Sequence, residues 1–206
     1  MKRFIISALL CLLSPSLFAE DITFSGGYTK MNRTEGNKEI ILSGGASVQM
    51  GSLSLSAQNI ILSQEEYSQI QCDDTVKVSD NEKGIKVQSS SISYNRNTKM
   101  LLISSWVELE DIQNEISASG GSLRYDMDKG TMVMESYVRL LRATSKGLML
   151  CRCDVLSYDR TNKTLQLSGN ASINWDGDLY QAHVINVNLE KEEIVMEGAI
   201  QGQVHG

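Results

Sequence analysis

Proline and histidine are nearly absent from this 206-residue chain, which has one proline, Pro15, and two histidines, His183 and His205. Downstream of Pro15 no strand edge can be guarded by proline, a common device against edge pairing. Neither histidine has a serine, aspartate or cysteine at a triad-like spacing, so the chain does not read as an enzyme. Basic residues are scarce as well, 19 Lys and Arg against 25 Asp and Glu. That balance argues against nucleic acid or an anionic membrane surface as a partner. Long apolar runs are missing too. The longest, residues 4–13, is about half of the roughly 20 residues that a membrane-spanning helix needs.

Cysteine is sparse and badly spaced for metal. Cys151-Arg-Cys153 lacks the two-residue gap of a zinc knuckle and has no histidine nearby. No metal or cofactor is therefore expected. A Cys72–Cys151 bridge would have to cross several strands at about 4.8 Å each, beyond the roughly 7 Å that a disulfide spans. The paired carboxylates Glu108/Glu110 and Glu192/Glu193 read as solvated faces or turns. Gly26-Gly27, Gly44-Gly45 and Gly120-Gly121 precede no helix, so they read as bends rather than phosphate cradles.

The first residues follow a recognisable pattern of residue types. Lys2 and Arg3 precede the apolar run, Ser14-Pro15-Ser16 breaks it, and Leu17-Phe18-Ala19 leads into Glu20-Asp21. This is the pattern of a secretory signal peptide, residues 1–19, with an uncleaved anchor as the alternative. Without Lys2 and Arg3, 17 bases face 25 acids, a formal charge of −8. Residues 20–206 contain no second such run and are expected to be soluble.

Alternation recurs throughout those residues, as in Val76-Lys-Val78, Val107-Glu-Leu109, Val138-Arg-Leu140 and Ala171-Ser-Ile173. Period two marks half-buried strands, and no segment has helical periodicity. The alternation also repeats. Ile92-Ser-Tyr94-Asn, Leu123-Arg-Tyr125-Asp and Leu156-Ser-Tyr158-Asp are one element, with Ile60-Ile-Leu62-Ser before it and Ile185-Asn-Val187-Asn after. The spacing gives about six repeats of roughly 31 residues, the outer two incomplete. Columns follow in register, and Cys72, Cys151 and Cys153 fill positions held elsewhere by Leu, Ile, Met, Val, Ala or Gly. Ala118 and Gly120 share one parity, whereas Leu123 and Tyr125 share the other. A bulge or sharp bend near the small residue would return both pairs to one side. The expected fold is all-β, with bent antiparallel strands stacked into an open, twisted trough.

Leu53-Ser-Leu-Ser-Ala57-Gln-Asn-Ile60, preceded by Leu42-Ser-Gly-Gly-Ala-Ser-Val48, resembles the OstA-like, LptA-type lipopolysaccharide transport family. In that family an apolar-x-Ala-x-x-apolar-x-Tyr-Asp strand alternates with a Gly-x-Val-x-Val strand. The likeness runs over residues 22–200, with Leu62-Ser and Val187-Asn departing from Tyr-Asp in the outer repeats. The resemblance implies a single β-jelly-roll over residues 20–206, located in the periplasm. It also implies an apolar interior for acyl chains and open ends that associate head to tail. The partners it implies are lipopolysaccharide or another acylated glycolipid, and LptC-like and outer-membrane LptD-like jelly-rolls. The role it implies is a bridge from inner to outer membrane that supports outer-membrane assembly. A membrane-anchored LptC-type component is one alternative, disfavoured by the short, proline-broken apolar run. A structural or adhesive β-solenoid with a closed core and a protein partner is the other.

Under the lipid reading, Val76, Val78, Ile92, Val107, Leu109, Leu123, Val138, Leu140, Leu156 and Ile173 line the interior. The Met-rich patch Met127, Met132, Met134 and Met149 suits a flexible ligand. Ile22 and Phe24 mark one head-to-tail edge, and Ile194, Met196, Ala199 and Ile200 the other. The first edge strand is expected over residues 22–28 and the last over 194–204, nearly free of charge. With an acidic chain, binding would rest on buried hydrocarbon, worth about 0.8 kcal/mol per CH₂, with head groups left in water.

Overall fold

A computed structural model describes residues 21–34 and 37–205; the expected leader, residues 1–19, lies outside the described residues. The alternating segments become a sixteen-stranded sheet. In chain order the strands are β1 (Ile22–Ser25), β2 (Tyr28–Thr34), β3 (Asn37–Met50), β4 (Leu53–Ser63), β5 (Gln69–Asp80) and β6 (Ile85–Asn95). There follow β7 (Met100–Ile103), β8 (Val107–Asp111), β9 (Ile116–Gly120), β10 (Ser122–Asp126) and β11 (Thr131–Thr144). The last are β12 (Gly147–Asp159), β13 (Thr164–Trp175), β14 (Asp178–Asn188), β15 (Glu193–Glu197) and β16 (Gln201–Gln203). Each strand pairs antiparallel with its neighbours in the stack.

The bends implied by the parity switch are present in register. Pairing slips between Ser43 and Ala46, Asp73 and Val76, Glu135 and Val138, and Ser168 and Ala171. At each slip two residues oppose one on a neighbouring strand, which bends the strand and turns its side chains over. The paired residues are Gly44-Gly45, Asp74-Thr75, Ser136-Tyr137 and Gly169-Asn170, all at positive φ. Gly169 has a second reason to be glycine: a Cβ there would lie 2.6 Å from Asp154 Oδ2. At mid-stack the bend interrupts the strand outright, separating β7 from β8 and β9 from β10.

Each bent strand therefore contributes to two layers. Layer I holds β1, β8, β9, β16 and the β3–β6 and β11–β14 halves that pair with them. Layer II holds β2, β7, β10, β15 and the remaining halves. Apolar side chains from both layers merge into one continuous core.

The recurring Tyr-Asp and Tyr-Asn landmarks gain a physical meaning. Their tyrosines, Tyr94, Tyr125 and Tyr158, are buried. The following side-chain oxygen, on Asn95, Asp126 or Asp159, accepts a backbone N–H two or three residues on, at 2.9–3.2 Å. Asn188 does the same for Glu190 and Lys191. These Asx turns fix each hairpin and so hold the repeat in register.

Both expected edge strands are corrected. Residues 22–28 are not one strand, because the chain crosses from layer I to layer II at Gly26-Gly27, leaving β1 and β2 as separate edges. Residues 194–204 likewise divide into β15 and β16 at Gly198-Ala199, both at positive φ. The new edges are charged: β2 carries Lys30 and Arg33, and β15 carries Glu193 and Glu197.

Candidate functional site

Alternation and bend together bring the ten expected interior residues to one place. Val76, Val78, Ile92, Val107, Leu109, Leu123, Val138, Leu140, Leu156 and Ile173 are all buried in the shared core. In layer I an unbroken cross-strand row runs Val48-Leu55-Val78-Val87-Leu109-Ala118-Leu140-Cys151-Ile173-Tyr180. Layer II carries the row Leu62-Ile70-Tyr94-Leu101-Tyr125-Met132-Tyr158-Leu165-Val187-Ile194. The four methionines Met127, Met132, Met134 and Met149 all point into this space.

The space is not uniform along its length. From the N-terminal end to the mid-stack turns, a cavity of about 1020 Å³ is lined by apolar Ile22, Phe24, Ile40, Met50, Leu53, Leu62, Tyr94 and Met127. Glu66, Asp80, Glu82, Lys83, Arg96 and Lys99 also reach it. Its size matches the upper range of ordinary ligand sites. At the C-terminal end Trp175, Tyr180, Ile194 and Met196 line a second cavity of about 490 Å³, with Lys146 and Glu192 beside them. Between the two, the interior is filled by its own side chains. A void of about 10 Å³ lies there among Leu109, Ala118, Leu123, Met132, Met134, Leu140, Leu156 and Tyr158.

Opposite the bends, the turn-bearing edges of the two layers form a mouth, and polar side chains tie it shut at mid-stack and beyond. Arg160, in the β12–β13 turn of layer II, donates through Nε to Asp111 Oδ2 at 2.6 Å and through Nη2 to Asp111 Oδ1 at 3.0 Å. The same Nη2 reaches the Lys83 carbonyl in layer I at 2.8 Å. Tyr158 Oη donates to Asp111 Oδ2 at 2.9 Å, and Asn114 Nδ2 at 2.8 Å. Lys83 Nζ crosses back to the Met127 carbonyl. Further along, Arg142 Nη1 donates to the Leu189 carbonyl at 3.1 Å, and Lys146 Nζ pairs with Glu192 Oε2 at 2.6 Å.

Asp111 is fully buried. Burial alone would raise its pKa, but the hydrogen bonds from Arg160, Asn114 and Tyr158 and the guanidinium charge outweigh it and hold the carboxyl below its usual range. Arg160 is shifted upward, chiefly by its hydrogen bond to Asp111. Sequence reasoning missed this group. Its one signal was a charge at Asp111 in the interior parity of Val107 and Leu109; Arg160 sits in a turn and gave none.

The other candidate chemistry disperses. Glu108 and Glu110 are exposed, on the face of β8 opposite the buried Val107, Leu109 and Asp111. His183 lies at the bend of β14, and its backbone N–H donates to Gly198 O at 2.8 Å. Cys72, Cys151 and Cys153 are free and buried in the apolar rows. Burial pushes each thiol up to about 12, and only the thiolate attacks thiol reagents. Residues 20–206 should therefore titrate three thiols after denaturation and essentially none while folded. Fewer than three in denaturant without reductant would reveal a disulfide and displace at least one cysteine from its column.

The crystal structure of LptH, the LptA homologous periplasmic component of the conserved lipopolysaccharide transport device from Pseudomonas aeruginosa, is one structural match. It aligns 91% of this chain with 96% of that one, at 11% identity and a TM-score of 0.31. No curated protein matches the sequence. A family model described as LptA/(LptD N-terminal domain) LPS transport protein matches residues 29–131, half of the chain. The chain belongs to this lipopolysaccharide transport family.

Proposed function

We propose that this protein is a periplasmic carrier that holds the acyl chains of lipopolysaccharide, or of a related glycolipid, between its two layers. In this role it bridges the inner and outer membranes, with LptC-like and LptD-like jelly-rolls as its neighbours. The observation that carries the reading is the cavity of about 1020 Å³ at the N-terminal end, where the apolar interior meets solvent. Each methylene moved there from water gains about 0.8 kcal/mol, so a few acyl chains suffice for tight binding without head-group contacts.

One observation favours a second reading. The centre is filled by its own side chains, as a structural or adhesive solenoid with a protein partner would be. A single experiment separates the two. Residues 20–206, purified from a lipid-containing extract and examined by native mass spectrometry, should carry acylated glycolipid in a fixed ratio. Protein that emerges free of acyl chains, and binds none from micelles, would overturn the carrier reading and leave the solenoid.

A further inference from the structure

Two cavities lie at the ends of the interior, and the layers are tied together between them. Asp111 occupies an interior position on β8, opposite Ile85 and Ile116 across the ladder. A side chain like either neighbour would weld the layers together permanently. Replacing a buried ion pair by well-packed apolar groups often preserves stability or increases it. Stability alone does not explain a carboxylate here. A polar tie differs from an apolar one in how it parts, because water can take over each of its hydrogen bonds as the mouth opens.

We propose that Arg160 and Asp111 form a latch across the mid-stack mouth, whose release lets an acyl chain advance from the N-terminal cavity toward the C-terminal one. The proposal rests on the carrier reading above. Two features prepare the site for movement. The Tyr125 hydroxyl is buried close to the Arg160 guanidinium, so Arg160 has a second acceptor at hand when it leaves Asp111. The filled segment below the latch is lined partly by Met132 and Met134, unbranched side chains that re-pack readily around a chain. Because the tie joins the β12–β13 turn of layer II to β8 and the β5–β6 turn of layer I, its release opens the mouth at mid-stack while the strands within each layer keep their pairing.

The native cysteines report on this without any lipid. Cys151 and Cys153 face the interior on β12, the strand that leads into Arg160, and Cys72 faces it on the layer II half of β5, paired with Ile60 and Ile92 and away from the β5–β6 turn. Folded Arg160→Gln protein is exposed to N-ethylmaleimide, and each cysteine's labelling rate is read by peptide mass spectrometry. Cys151 and Cys153 should label about ten-fold faster or more than in the wild type, with Cys72 nearly unchanged, as expected of local opening. Equal acceleration at all three cysteines would show a merely structural tie, and no acceleration would show no latch; either overturns the proposal. Should Arg160→Gln fail to fold, Arg160→Lys keeps the charge but loses the two-pronged geometry. It should then give the same pattern at an intermediate rate, and wild-type rates in it would also overturn the latch. Lipid retention is scored separately, so a failed latch and a failed carrier reading are told apart.

Discussion

Val107→Asp and Leu140→Asp are each expected to strip the protein of retained acyl chains and to lower its unfolding midpoint by about 10 °C or more. Val107 is 0% exposed and Leu140 1%, on β8 and β11 of layer I at mid-stack, with β9 between them. A carboxylate at either place has no cation within the row and must be buried unpaired or drag water inside. Burying an isolated charge costs several kcal/mol, a large share of the roughly 5–15 kcal/mol that stabilises an ordinary domain. Surviving folded molecules would hold a charge where hydrocarbon should lie. Leu141→Asp is the control on the same strand. Leu141 is 39% exposed on the outer face, so this change should cost about 0.5 kcal/mol or less and leave lipid retention intact. Wild-type retention in both interior variants would remove acyl chains from the space between the layers.

What makes these positions so sensitive was already legible in the residues. Val107 and Leu140 fall in the apolar columns, and the parity change between Gly120 and Leu123 required a bend near that point. The bend is there, and the same geometry recurs where glycine does not announce it. Asp74-Thr75 and Ser136-Tyr137 occupy the same two-residue left-handed conformation as Gly44-Gly45 and Gly169-Asn170. Only the glycine-bearing versions could be read locally, because most residues avoid positive φ and their presence there depends on tertiary pairing. Pairing also decided the edges, where Gly26-Gly27 acts as a crossing between layers rather than as a turn within one strand.

The candidate site was legible in its lining but not in its closure. Alternation says which side chains face inward; it does not say whether they meet. The filled centre follows from the volumes of Leu109, Met132, Met134, Leu140 and Tyr158 packed across two layers, which no one-dimensional pattern records. Arg160 and Asp111 are 49 residues apart, and an arginine in a turn is ordinarily a solvated residue. Only the two-layer geometry carries it to a buried carboxylate.

Head-to-tail assembly is expected to be electrostatically selected as well as backbone-driven. Within layer II the strands run β2-β3-β4-β5-β6-β7-β10-β11-β12-β13-β14-β15, each antiparallel to the next. The two outermost, β2 and β15, therefore point in opposite directions. A second copy in the same orientation can place its β2 beside β15 and continue the antiparallel ladder, while β1 and β16 do the same in layer I. Ile22, Phe24, Ile194 and Met196 are partly buried against the core at these ends, so the apolar rows would continue from copy to copy. The edge charges are complementary, Lys30 and Arg33 on β2 against Glu193 and Glu197 on β15. Such an interface is heterologous and does not close, so it builds open-ended oligomers that lengthen with concentration and shorten with salt. Lys30→Glu with Arg33→Glu should raise the concentration needed for assembly by about ten-fold or more, since like charges then face each other across the join. Glu193→Lys with Glu197→Lys should do the same. Mixing the two variants should restore assembly, because each then offers the edge charge that the other lacks. Sedimentation velocity across a concentration series measures all of this. A wild-type protein that stays monomeric at high concentration, or variants that fail to complement, would remove these edges from the assembly and favour a capped stack.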